Sequence, residues 1–177
     1  HNKYDFTFAP EAGSERLRRV INKNLTDEQI ILTLTEAFRY GWTSIKLYFM
    51  IGLPTETEDD IVGIVELVRR INSIKQHSSK KASIKVTLST FVPKPHTPFQ
   101  WSAQDREDKL KKKQEIVNSG LRKLRIKGSW QDPNTSLLEA VLARGDRRLG
   151  EVIFRAWKLG CIFDAWSERF SYDKWAQ

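Results

Sequence analysis

The sequence predicts an α/β protein with a parallel sheet, followed by a helical C-terminal extension. Three observations carry that reading. Short apolar runs rich in β-branched and aromatic residues recur at residues 6–9, 44–51 and 83–92, as buried strands require. Amphipathic stretches with recognisable caps lie between them. The runs start about 39 residues apart, enough for a strand–helix–strand crossover, and right-handed crossovers make neighbouring strands parallel.

Taken in order, the first run (FTFA) is a short strand. Thr26 stands three residues before Gln29, a capping-box pattern in which hydroxyl and amide satisfy orphan backbone N–H groups. Ile30, Leu34, Ala37 and Phe38 follow at helical spacing, and Gly41 is a reasonable stop. The runs SIKLYFMI and SIKVTLSTFV are nearly continuously apolar, which predicts a sheet covered on both faces. Between them a helix starts at 57–60, shows an apolar stripe through Ile61, Ile64, Val65, Val68 and Ile71, and ends in the polar segment 76–81. A further helix is expected at about 105–126, then a turn-rich break at 128–134. Helices at 137–143 and 147–159 follow, with Gly145-Asp146 as stop and next cap. The division expected is a sheet domain at 1–127 and an extension at 128–177. The extension's aromatics, Trp157, Phe163, Trp166, Phe170, Tyr172 and Trp175, are expected to pack on the sheet domain rather than stack on bases. The pattern leaves an incomplete barrel and an open doubly wound sheet both available.

Composition narrows the class. Hydrophobic residues are 40% and charged residues 29%, a globular balance. No apolar run reaches the roughly 20 residues that cross a bilayer, and no secretory pattern is present. A soluble, cytoplasmic protein without a membrane partner is expected. The single cysteine, Cys161, cannot close an internal disulfide or hold an iron–sulfur cluster or zinc alone; a buried thiol is expected there, and no metal ligand. The net charge of +8 attracts polyanions, nucleic acid among them, although a solvated basic surface explains it as well. Part of the excess, Lys109, Lys111, Lys112 and Lys113, reads as an exposed helix start. The chain begins at His1 and its only methionine is Met50, which reads as a piece of a longer protein whose N-terminal half is missing.

Sites in parallel α/β folds lie beyond the carboxyl ends of the strands. Three unusual segments fall there: Pro10-Glu11-Ala12-Gly13-Ser14, Gly52-Leu53-Pro54-Thr55-Glu56-Thr57 and Pro93-Lys94-Pro95-His96-Thr97-Pro98. The first joins a carboxylate, a glycine and a hydroxyl to a basic stretch, Arg16, Arg18 and Arg19. A carboxylate accepts both hydroxyl protons of a ribose; Glu11 and Ser14 serve equally as caps of a tight turn, and the residues alone leave both readings open. Thr57 reads as an N-cap and Glu56 as a possible carboxylate partner of Glu11. The alternating prolines of the third segment rule out a central strand and form a stiff wall or a stiff connection.

These segments resemble a known family. PEAGSERLRRVINK, YFMIGLPTETEDDI and STFVPKPHTPFQW, in that order and spacing, are similar to the C-terminal half of the barrel of radical S-adenosylmethionine (radical SAM) enzymes. More narrowly, they resemble uncharacterised radical SAM proteins with a cobalamin-binding-like domain upstream. The final stretch from Asp132 to Phe170 resembles the C-terminal extension of those proteins. The resemblance implies a partial (β/α)6 barrel, with the three strands as its fourth, fifth and sixth. It implies that Glu11 and Ser14 contact the ribose or methionine part of S-adenosylmethionine, with Lys23, in the following helix, in support. It places Met50, Ile51 and Gly52, and Phe91, Val92 and Pro93, near the adenine. It also implies a [4Fe–4S] cluster on a CxxxCxxC loop. That motif is absent from this sequence, so the chain alone is expected to be inactive. A small-molecule or RNA substrate is implied, and a cobalamin cofactor through an upstream domain.

Two other functions compete. A barrel hydrolase would use Glu11 and Glu56 as an acid/base pair. A basic module would bind RNA without catalysis. His96 reads either as a substrate-facing group or, the favoured reading, as a satisfied loop histidine, and His77 as solvent-exposed. Arg144, Asp146, Arg147 and Arg148 read either as an anion site or as an ion-paired helix junction.

Overall fold

The computed structural model describes residues 5–78 and 82–177, and within 76–78 the backbone alone. Four strands, β1 (Phe6–Glu11), β2 (Ser44–Ile51), β3 (Ser83–Thr90) and β4 (Lys127–Trp130), form one parallel sheet in sequential order. The crossovers are α1 (Glu15–Val20) with α2 (Asp27–Arg39), α3 (Glu58–Ser78), and α4 (Glu107–Lys123). Then come α5 (Pro133–Arg144), α6 (Leu149–Lys158) and α7 (Tyr172–Trp175). The fold is therefore α/β, with seven helices among the described residues. His77 lies on α3 rather than in a loop, and its side chain lies outside the described residues, as does the end of the polar segment at 79–81.

The chain divides into two compact units. The first holds the residues up to Phe91 and 105–131; the second holds 92–104 and 132–177. In the first, Thr26 and Gln29 form the expected capping box, Gln29 N–H to Thr26 Oγ1 at 3.2 Å and Thr26 N–H to Gln29 Oε1 at 3.0 Å. The apolar stripes of α2, α3 and α4 meet Ile45, Leu47, Phe49 and Ile51 of β2 and Ile84, Val86 and Leu88 of β3 in one core. All these strand residues share one face, because side chains alternate along a strand.

The structure departs from the sequence expectation at the sheet's second face and at β4. Among the described residues the sheet is covered on one face only. Burial alternates along β2, and Tyr48 is 38% exposed between buried Leu47 and Phe49. The apolar run concealed this because Tyr48 and Met50 occupy the open face and read as core. The other departure is β4, which falls partly in the segment read as a turn-rich break. Lys127-Gly128-Ser129 carries no apolar signal; the strand exists by pairing with β3 through Lys85↔Lys127 to Leu88↔Trp130.

In the second unit, Asp132 caps α5, accepting from Asn134 N–H at 2.8 Å and Thr135 N–H at 3.3 Å, with Pro133 in the first turn. Gln104 donates to Ser136 O at 3.1 Å, and Lys94 pairs with Glu139. Trp157, Phe163 and Trp166 are 58%, 68% and 56% exposed, Trp157 stacking on Phe154 and Phe163 on Trp166. Phe170, Tyr172 and Trp175 are half-buried.

Candidate functional site

Register places the ends of three strands together. Glu11 stands opposite Phe49 and Ile51 opposite Thr90, and the Phe91 N–H donates to Ile51 O at 2.8 Å. The turns carrying Glu11, Gly52 and Phe91 thus leave the same carboxyl edge of the sheet. Val92 and Pro93 follow in the chain and belong to the second unit.

Glu11 closes β1 after a register shift and has φ 70, a left-handed conformation that costs a non-glycine residue about 1 kcal/mol or more. Its carboxylate lies 3.4 Å from Lys23 Nζ, both side chains about a third exposed. The resemblance put Lys23 in a helix. It stands instead past the end of α1, in the turn before α2, where its N–H bonds Arg18 O at 2.8 Å.

Ser14 has structural duties. Its hydroxyl caps α1, accepting from Leu17 N–H at 3.1 Å, and donates to Asp60. One lone pair remains for a ligand. Asp60 also accepts from Arg16, and from the Thr57 N–H and hydroxyl, each at 2.8 Å. Burial pushes the Asp60 carboxyl up, but these hydrogen bonds outweigh it and hold the group below the ordinary carboxylate range. Of the expected basic stretch, Arg16 is therefore occupied by Asp60. Arg18 is fully buried, donating to Leu25 O at 2.7 Å, to Ala12 O at 2.9 Å and to Asp27. Gly13 lies against α3: a Cβ there would stand 2.3 Å from Asp60 O and Ile64 N.

Gly52 adopts φ 82, and its N–H is shared by both Glu56 oxygens, at 3.0 and 3.1 Å. The Glu56 side chain is 1% exposed and pairs with Lys113, which also pairs with Asp105. Burial raises the Glu56 carboxyl; Lys113 and the Gly52 N–H pull it back without cancelling that. Burial alone would lower the Lys113 ammonium, but hydrogen bonds to Asp105 and Glu56 raise it. Lys113 is thus not part of an exposed basic helix start, whereas Lys109, Lys111 and Lys112 are exposed. The same contacts give Glu56 a structural duty, since its carboxylate is buried against Lys113 and the Gly52 N–H.

Met50 is half-buried and on the open face with Tyr48; Ile51 is fully buried in the core, which leaves its backbone alone for any ligand; Phe91 is 7% exposed. His96 is an exposed loop residue at φ 61. Cys161 is a buried free thiol, its pKa raised by burial and by Asp164 and lowered less by Lys174. Arg148 pairs with Asp146 at 2.9 Å, part of an ion-paired junction. Among the described residues no cluster of His, Cys, Asp or Glu has the makings of a metal site, and no helix is long and apolar enough to cross a membrane.

The open face carries residues that sequence reasoning missed. Register aligns Thr7, Lys46, Lys85 and Lys127 in one row across all four strands, and Tyr48, Thr87 and Ser129 in the next. Thr87 and Ser129 hydroxyls lie 3.1 Å apart, and Lys46 pairs with Asp5 at 2.7 Å. The signal was present in the tripeptide Ser-Ile-Lys, which opens both β2 and β3.

The fold and edge define an α/β protein with its candidate site at the carboxyl ends of parallel strands. No protein-family profile and no solved structure matches the chain. Over 147 residues, 83% of its length, it is 35% identical to an uncharacterised protein of Methanocaldococcus jannaschii, of which it spans 31%. Shorter similarities, each 33% identical, reach tRNA-2-methylthio-N(6)-dimethylallyladenosine synthases. The Wolbachia enzyme matches over 72 residues (40% of this chain, 16% of that protein), and the Paracoccus denitrificans enzyme over 90 residues (50% and 18%). The chain spans a third or less of the length of each of these relatives.

Proposed function

We propose that this chain is the C-terminal part of a radical SAM enzyme and that its sheet is an arc of a (β/α) barrel. In this reading Glu11, Ser14, Lys23, Met50, Gly52 and the backbone of Ile51 and Phe91 form part of the wall for S-adenosylmethionine. The supporting observation is the carboxyl edge, where Glu11 is held in a left-handed conformation beside the turns of Gly52 and Phe91. Strained non-glycine residues of this kind concentrate at ligand sites. Sequential parallel strands with one shared helical core suit a barrel arc; a doubly wound sheet reverses its strand order and carries helices on both faces.

The donor set suits an adenosyl group. The Glu11 carboxylate accepts ribose hydroxyls, Lys23 orients it from 3.4 Å, and the Ser14 hydroxyl retains one acceptor site. When bound beside a reduced cluster, S-adenosylmethionine supplies a 5′-deoxyadenosyl radical. The cluster itself does not fit this chain: it needs three or four thiolates, and the one cysteine is buried. Its ligands belong to another segment of the whole protein. The names of two partial relatives specify a methylthio group on a tRNA adenosine. Replacing a ring C–H by C–S requires breaking a strong bond, and we take this class of C–H chemistry as the whole protein's.

The test is anaerobic reconstitution of the full-length parent. The expected product is 5′-deoxyadenosine, lowered at least about tenfold in Glu11→Gln at unchanged iron content. A parent with an intact cluster that forms none would overturn the reading.

A further inference from the structure

Parallel sheets occur almost only with both faces covered, yet one face here is open and charged. Its lysines are not scattered. Lys46 stands directly beside Lys85, and Lys85 directly beside Lys127. Neighbouring strands lie about 4.8 Å apart, and like charges placed directly opposite one another destabilise a sheet. Asp5 neutralises Lys46; Lys85 and Lys127 are exposed. The next row offers three hydroxyls, from Tyr48, Thr87 and Ser129. A row of cations flanked by neutral donors, maintained against its own repulsion, is an arrangement completed by an anion.

We propose that the open face of the sheet binds a phosphate monoester through Lys85 and Lys127, with Thr87 and Ser129 as neutral donors and Lys46 already answered by Asp5. The row is a few strand spacings wide, the size of one multiply charged group. A single-stranded nucleic acid needs a longer track, about 4–16 nucleotides with aromatic platforms. The inference deepens the reading above and rests on it only in calling the ligand the substrate. Lys46 is four residues before Met50, roughly 13 Å along the strand. The substrate class is thus an elongated small molecule whose phosphate lies far from the carbon that reacts at the carboxyl edge.

The test titrates the 177-residue chain with inorganic phosphate by calorimetry and by melting. Phosphate is expected to bind at one site. The double variant Lys85→Gln/Lys127→Gln is expected to weaken binding at least about tenfold while raising the melting temperature in phosphate-free buffer, because the repulsion is relieved. Arginine at both positions should retain binding, and Lys109→Gln/Lys112→Gln should leave it unchanged. No phosphate binding, or binding indifferent to the double glutamine variant, overturns the proposal. So does a single-stranded RNA that displaces phosphate with a steep salt dependence. None of these readouts involves the cluster. Phosphate binding in the chain with no 5′-deoxyadenosine from the parent would sink the radical SAM reading and spare this site.

Discussion

At the scale of single residues, the buried charges have the largest effects. Arg18 is fully buried and its guanidinium satisfies two carbonyls and Asp27, which Arg70 also holds at 2.6 Å. Arg18→Ala leaves those acceptors and a partly buried carboxylate short of donors. The expected loss is about 3 kcal/mol, read from urea unfolding. Asp60 gives a pH signature. Its folded pKa is depressed, so its contribution is fully present above the ordinary carboxylate range and is lost as pH falls through the folded value. The stability difference between wild type and Asp60→Asn should therefore be larger at about pH 7 than at about pH 3. A difference independent of pH would show that the hydrogen bonds from Ser14, Arg16 and Thr57 do not favour the ionised form. Glu11 separates structure from function. Glu11→Gly relieves a left-handed residue and should leave stability within about 1 kcal/mol. It should also remove detectable S-adenosylmethionine binding by the reconstituted parent.

At the scale of elements, two contacts fix the turns that carry the edge. The β1–α1 turn sits on α3 because position 13 has no side chain. Gly13→Ala puts a methyl group 2.3 Å from backbone atoms of Asp60 and Ile64, and the turn must move. The expected cost is about 1–3 kcal/mol by thermal unfolding. The β2–α3 turn is tied to α4 through Glu56 and Lys113. Lys113→Met strands a buried carboxylate, costing about 3 kcal/mol near pH 7. Glu56 already has a raised folded pKa, so its ionisation opposes folding as pH rises through that value. The variant's deficit should shrink when the urea melt is repeated near pH 5. Much at this scale was legible. The Thr26–Gln29 box, the bounds of β2 and the three loop motifs lie in local patterns, which short-range chemistry determines. The role of Lys113 was not legible, because nothing in Lys-Lys-Lys at 111–113 says which ammonium turns inward. That depends on Glu56, 57 residues away in the chain.

For the molecule as a whole, periodicity gave the parallel order but not the side on which the helices pack. A run such as SIKLYFMI looks the same whether its second face meets helices or solvent, since tyrosine and methionine suit both. The fourth strand was hidden for a related reason, because its residues gain their strand conformation from a neighbour rather than from their own propensity. Strand order also sets a hierarchy of protection. β2 is hydrogen-bonded on both sides, by β1 and β3, and its core face is sealed by Ile45, Leu47, Phe49 and Ile51. β3 is likewise internal, while β1 and β4 are edges, and β4 contributes only Lys127–Trp130. Amides that open only with the whole fold belong in internal strands, and edge strands open through smaller fluctuations. Native-state hydrogen exchange should therefore find the slowest amides in β2 and β3 and markedly faster exchange in β4. Saturating phosphate should slow exchange in β4 and the adjoining half of β3 if the lysine row holds an anion, because Lys127 joins only through that short strand. Exchange in β4 as slow as in β2 would contradict the assignment of β4 as a weakly held edge.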